Sequence, residues 1–182
     1  MKYKIIKDTN LRIRKKSEEV KLPLSKEDQD TLDFMLDYLK KSQDEEYATK
    51  HNIRPGVGLA SPQLGILKRM FVVYFEDNDN LYEYQLVNPK IISTSIKKCA
   101  LEAGEGCLSV DKDHKGLVHR YEKIIIKAYD ALTKKEIQLT LSKYPSIVFQ
   151  HEYDHLDGIL FYDRIDKNKP FDKLDNEDII SF

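Results

Sequence analysis

Two histidines four residues apart, with a glutamate directly after the first, stand at His151-Glu152-Tyr153-Asp154-His155. On a helix, positions i and i+4 lie one turn apart on one face, so both imidazoles can reach one metal ion at about 2.0–2.1 Å. Glu152, rotated by about 100°, leans toward the same cleft and can take a proton from a water that a catalytic ion has made acidic. The same five residues also suit an ordinary core helix with two satisfied histidines. A catalytic ion needs a third protein ligand and an open fourth position. The long protease pattern H-E-x-x-H-x-x-G-x-x-H continues through Gly158, but its third histidine would fall on Phe161. Downstream, Glu177 lies in an acidic tail, DKLDNEDIISF, without apolar helical context. The ligand is therefore sought upstream.

Residues 102–111, EAGEGCLSVD, supply a candidate. Gly104 and Gly106 let the backbone pass close to a neighbouring group, and a thiolate ligates Zn²⁺ or Fe²⁺ well. Cys107 with His151 and His155 would make a Cys-His₂ site with one open position; a buried structural thiol is the alternative. Cys99, in KKCALE without glycine context, fits the structural role better. Residues 56–65, GVGLASPQLG, read either as a tight turn before a strand or as a backbone rail beside a cleft, with Gln63 reaching in as a hydrogen-bond donor.

The elements that must position these groups follow from periodicity. Ser25-Lys-Glu-Asp28 is a variant capping box, and Leu32, Met35, Leu36 and Leu39 recur at helical spacing, which predicts an amphipathic helix of about 16 residues. Residues 42–54 are polar and read as a loop or a frayed helix end. Strands are predicted at 69–75, 82–87 and 90–97, with Asn88-Pro89 as the break, and a hairpin at 122–130 and 135–141. A second helix carries the histidines, with Ser142 as N-cap, Pro145 in the first turn and Gly158 as C-cap. Residues 1–20 read as an arm over the core. The fold class is α+β: mainly antiparallel sheets packed around the helix carrying the HExxH motif, plus an N-terminal amphipathic helix. At 182 residues the chain suits a single domain with a sizeable core over 1–182.

Composition narrows the class. Hydrophobic residues make up 41% and charged residues 34%, a globular chain with a charged surface. Thirty basic against thirty-one acidic residues leave a net charge of −1, with no signal for nucleic acid or an anionic membrane. The start lacks an apolar run long enough for a signal peptide, and nothing approaches a membrane span. Two cysteines cannot build a disulfide framework, so a cytoplasmic location with reduced thiols is expected.

Taken in order, Gly56-Val-Gly-Leu-Ala-Ser-Pro-Gln63, Glu105-Gly-Cys-Leu-Ser109 and His151-Glu-Tyr-Asp-His155 resemble the peptide deformylase motifs GxGLAAxQ, EGCLS and HExDH. The matching framework spans roughly residues 1–165. Ser61 stands where the family usually has a second alanine, and puts a hydroxyl near the cleft. The polar stretch before Pro55 and the run EGCLSVD resemble the longer, Gram-positive and mycoplasma-like subclass. The tail lacks the basic helix that some other members use at the ribosome.

The resemblance implies removal of the N-formyl group from the N-terminal methionine of new polypeptides, releasing formate. It implies that Cys107, His151 and His155 hold one divalent ion, Fe²⁺ with Ni²⁺, Co²⁺ or Zn²⁺ able to substitute. Hydroxide on that ion attacks the formyl carbon while Glu152 serves as base and then acid. Gln63 and the Leu108 N–H stabilise the oxyanion. Gly56, Val57, Gly58, Leu59, Glu105, Ile147 and Val148 are the substrate-binding candidates: Gly56–Gly58 pair with the peptide, Glu105 orients its first amide or the catalytic-loop backbone, and Val57, Leu59, Ile147 and Val148 receive the methionine side chain. Arg120 and Asp154 form either a pair that steadies the helix or a surface ion pair. The partners are an N-formyl-Met nascent peptide and, transiently, the ribosome. Two rivals stand: a zinc endopeptidase, which needs no Cys107, and a closed structural metal module, which needs His114 or His119 as a fourth ligand.

Overall fold

A computed structural model describes residues 3–181. Met1, Lys2 and Phe182, at the ends of the predicted arm and tail, lie outside it. The helix α1 (Lys26–Gln43) begins at Ser25, whose side chain accepts from the Asp28 N–H at 3.1 Å. Asp28 does not complete a capping box. Its carboxylate takes the Ser25 hydroxyl (2.7 Å) and pairs with Lys68. Ser25→Ala is expected to lower stability by about 1 kcal/mol, the usual worth of such a cap, read as a lower urea midpoint at unchanged slope.

The polar stretch after α1 is not a loop. It forms α2 (Glu45–His51), with the Asp44 side chain capping the Tyr47 N–H at 2.8 Å and Asn52 closing it in the left-handed region. The signal was present: acids in the first turn, Lys50 and His51 in the last.

A five-stranded antiparallel sheet runs in the order β1 (Gly58–Ala60), β2 (Met70–Asp77), β3 (Asn80–Thr94), β6 (Lys123–Asp130), β7 (Lys135–Ser142). A second sheet sets β4 (Lys98–Leu101) between β5 (Arg120–Tyr121) and β8 (Glu177–Ile180). Among these pairings only β4 with β8 is parallel. The acidic tail thus ends in a strand rather than a loose end.

The two predicted strands at 82–87 and 90–97 are one strand with a bulge. Asn88 has φ of +49° and the register shifts between Val87 and Lys90. A bulge is where Pro89 can sit in a sheet without losing a ladder bond. The Asn88 amide also takes both backbone groups of Val20, at 2.8 Å each.

β2 reads as an unbroken apolar run because both its faces are covered. Phe71, Val73 and Phe75 pack with Leu86, Ile126 and Phe149 on the side of α3 (Tyr144–Leu156). Met70 and Val72 pack with Leu32, Met35 and Leu39 of α1. Alternation in β1 follows the same logic: Ala60 joins the α3 cluster and Leu59 the α1 cluster. α3 has Lys143, at φ +57°, as its N-cap without a side-chain cap bond, while Ser142 ends β7. Its C-terminus is a Schellman turn. Gly158 (φ +73°) donates to His155 O at 3.2 Å and Ile159 to Asp154 O at 3.0 Å.

Candidate active site

α3 lies against both sheets and brings His151 and Glu152 into the lining of a cleft of about 340 Å³, with His155 buried one turn further along the helix. Cys107 enters from the loop after β4, with its sulfur 3.3 Å from His155 Nε2. One ligand atom from each of Cys107, His151 and His155 falls within 4.8 Å of the others. The two rings stand edge to face, their centroids 5.0 Å apart.

These residues fit a divalent ion. A thiolate and two imidazoles are the donor set for Zn²⁺ or Fe²⁺. Three buried side-chain atoms lack a hydrogen-bond partner among the described residues, and two of them, Glu152 Oε2 and His155 Nδ1, are here. Burial and the neighbouring His151 push His155 well down, toward the neutral form that can ligate.

A charged layer stands behind the triangle. Glu105 accepts from Arg120 in a fork (2.8 and 2.9 Å) and takes His151 Nδ1 at 2.8 Å, which leaves Nε2 of that ring free to ligate. Arg120 also reaches Asp154 (2.5 Å), which holds Arg164 through two further bonds (2.5 and 2.6 Å). Burial alone would raise the Glu105 carboxyl, yet Arg120 and His151 bring it down to about 2. Arg120, Glu105 and Asp154 are all buried, so the Arg120–Asp154 pair is not a surface pair. Glu105, expected to orient the peptide's first amide or the catalytic-loop backbone, lines the cleft with its carboxylate bonded to Arg120 and His151.

Glu152 is nine-tenths hidden and lies against Gly58. Burial pushes its carboxyl up to about 7 against the pull of His151. A Cβ on residue 58 would stand 2.6 Å from Glu152 Cδ. Gly58→Ala is therefore expected to displace the carboxylate, costing about 1–3 kcal/mol of stability as overpacking does, read as a lower urea midpoint at unchanged slope. An unchanged midpoint in that variant would show that the carboxylate can move freely.

The Gln63 amide is oriented by its neighbours. Its oxygen accepts the Ala60 N–H (2.8 Å), which turns Nε2 toward Cys107 Sγ (3.5 Å) and Ser109 Oγ (3.2 Å). The arm stitches the two loops together: Ile6 N–H donates to Gln63 O (2.8 Å) and Asp8 N–H to Ser109 O (2.9 Å). On the rail, Val57 O accepts from Tyr74 N–H at 2.9 Å. Bonded and non-bonded pairs alternate along an antiparallel ladder, so Gly58, opposite Val73, turns its N–H and C=O to the open edge. Gly56 is held by α1, its N–H on Ser42 Oγ (3.1 Å) and its O on Gln43 Nε2 (2.8 Å).

Of the pocket candidates, Val57, Ile147 and Val148 line the cleft. Leu59 does not; β1 turns it into the α1 core. Ser61 is buried and donates to Lys68 O at 2.6 Å, so no hydroxyl faces the cleft there. Leu101, Tyr144, Gln43 and Arg54 line the cleft and were missed. Tyr144 was findable: it precedes Ile147, Val148 and His151 at helical spacing on one face. Leu101 carries no sequence signal. His119 pairs with Glu177 (2.7 Å) and His114 stacks on Tyr162 (4.1 Å), and neither joins the triangle among the described residues. Glu177 is likewise committed elsewhere. Cys99 is buried and its thiol is pushed up to about 12 by burial.

The family profile for polypeptide deformylase matches residues 2–171. The chain belongs to the peptide deformylase family. Deformylases are metalloenzymes that remove the formyl group from the N-terminal methionine of nascent chains. The chain is 51% identical over 168 residues to a peptide deformylase of Staphylococcus epidermidis, covering 91% of each chain. It is 51% identical to peptide deformylase 2 of Geobacillus stearothermophilus, covering 92% of this chain and 91% of that one. A solved structure of a probable peptide deformylase from Synechococcus phage S-SSM7 is similar at a TM-score of 0.71 and 35% identity, over 90% of this chain and 99% of that one. This membership favours deformylation over the endopeptidase and structural-module readings. Among the described residues no helix is long and apolar enough to cross a membrane.

Proposed function

We propose that the deformylase reaction runs in this cleft within one catalytic domain over 1–182, with Cys107, His151 and His155 holding one divalent ion. The observation that carries this reading is the meeting of the Cys107 sulfur with both imidazoles beside Glu152. The proposed ion is Fe²⁺, with Ni²⁺, Co²⁺ or Zn²⁺ able to replace it, since thiolate and imidazole suit each. When bound, the ion supplies Lewis acidity, acidifying water and polarising the formyl group.

The chain's own groups do the rest. Glu152 takes the water proton and delivers it to the departing amine. Gln63 Nε2 and the Leu108 N–H donate to the formyl oxygen as it gains charge. The peptide lies along Gly56–Gly58 as an added strand, using the outward N–H and C=O of Gly58. Val57, Ile147 and Val148, with Leu101 and Tyr144, receive the unbranched methionine side chain. Glu105 and Arg120 hold His151 in the ligating tautomer. The nascent chain places this work in the cytoplasm, with transient contact at the ribosome.

The test is formate release from N-formyl-Met-Ala by anaerobically prepared protein, with metal content measured on the same sample, because an Fe²⁺–thiolate site oxidises readily. Formate release that depends on bound metal is expected. Cleavage of internal peptide bonds without formate, or bound metal without any turnover, would overturn the proposal.

A further inference from the structure

Arg54, between α2 and β1, lines the cleft and holds the loop that carries Cys107. Its Nη2 lies 3.1 Å from Cys107 O, 3.0 Å from Leu108 O and 3.1 Å from Val110 O. Asp111 Oδ1 stands 3.4 Å from the same nitrogen. Lys7 Nζ adds a bond to Leu108 O (3.1 Å) and one to Asp111 (2.7 Å). Residues 107–110 form a turn closed by Val110 N–H to Cys107 O at 3.1 Å. Leu108 is second in that turn, and its N–H donates to no acceptor among the described residues.

We propose that Arg54 is a positioning residue for deformylation, pinning the Cys107–Leu108 peptide plane so that the Leu108 N–H stays aimed at the formyl oxygen. In a trans peptide the C=O and N–H point in opposite directions. Fixing Cys107 O from the Arg54 side therefore fixes the N–H on the other side. A cation on the carbonyl also polarises the same peptide and strengthens its N–H as a donor. Arginine suits the task because its planar guanidinium is always charged and holds its terminal donors in a fixed orientation, here through Nη2 alone, whereas lysine is a flexible point charge. The inference rests on the reading of Leu108 as an oxyanion donor.

The experiment compares wild type, Arg54→Ala, Arg54→Met and Arg54→Lys as metal-loaded enzymes on N-formyl-Met-Ala. The alanine and methionine variants are expected to lose about tenfold or more in kcat, short of the 10²–10³ for losing a donor outright, with KM little changed and metal content intact. Lysine should recover part of the loss, and free guanidinium ion should partly rescue Arg54→Ala. The Leu108 amide resonance should shift and broaden in Arg54→Ala as the peptide plane loses its anchor, which loosening elsewhere in the chain would not produce. Unchanged kcat in both truncations, a rise in KM alone, or a fall in kcat that tracks lost metal would each overturn the inference while leaving deformylation standing. A wild-type enzyme that releases no formate would instead sink the reading beneath it.

Discussion

Glu152→Gln should keep its ion and lose most of its deformylation, on the order of 10²–10⁴ in kcat, the usual contribution of a positioned acid–base group. Glutamine preserves the shape of the side chain, so the packing against Gly58 survives. The three proposed ligands are untouched, and metal content should match the wild type. What disappears is a proton acceptor, and with it the group that would protonate the leaving amine. KM should move little, because Glu152 is not proposed to hold substrate. Full activity would remove Glu152 from the mechanism. Loss of metal would show that the carboxylate supports the ion instead.

The second large effect is on metal affinity. In Cys107→Ser a soft sulfur donor gives way to a hard hydroxyl oxygen, a poorer ligand for Zn²⁺ or Fe²⁺. Even loss of a group behind a ligand typically costs 10–100-fold in affinity, so losing this ligand should cost about 100-fold or more. The fold should persist, because the turn at 107–110 is held by its backbone and by Arg54 rather than by the sulfur. Cys99→Ser is the control: that thiol is buried against Tyr121 O at 3.9 Å, away from the triangle, and its replacement should leave affinity unchanged. Competition with a chelator reads both variants. Undiminished affinity in Cys107→Ser would favour a site built on the helix alone.

Much of this was legible because the chemistry is local. Two histidines on one helix announce themselves by spacing, and Cys107 by its glycines and its motif. The apolar run at 69–75 and the period of α1 marked the strand and the helix on which the two cores are built. The failures came where a side chain's partner is remote or an element is short. β1 has three residues, too few to show which face is which, and Leu59 went to the wrong side. Glu105 looks like any loop carboxylate until Arg120, brought up by β5 beside β4, takes it. Arg164, ten residues beyond Asp154, gave no sign that it closes the charged layer. Glu177 sat in a tail whose acidity masked a strand, because pairing with β4 is a property of the partner's free edge rather than of the tail. The bulge at Asn88 looks like a break in the sequence because Pro89 usually marks one.

One thiolate and two imidazoles are proposed to share one ion. X-ray absorption on the zinc-loaded protein measures this directly. One sulfur at about 2.3 Å with two histidine nitrogens at about 2.0–2.1 Å is the expected first shell, with the sulfur contribution gone in Cys107→Ser. A shell of nitrogen and oxygen alone in the wild type would contradict the account.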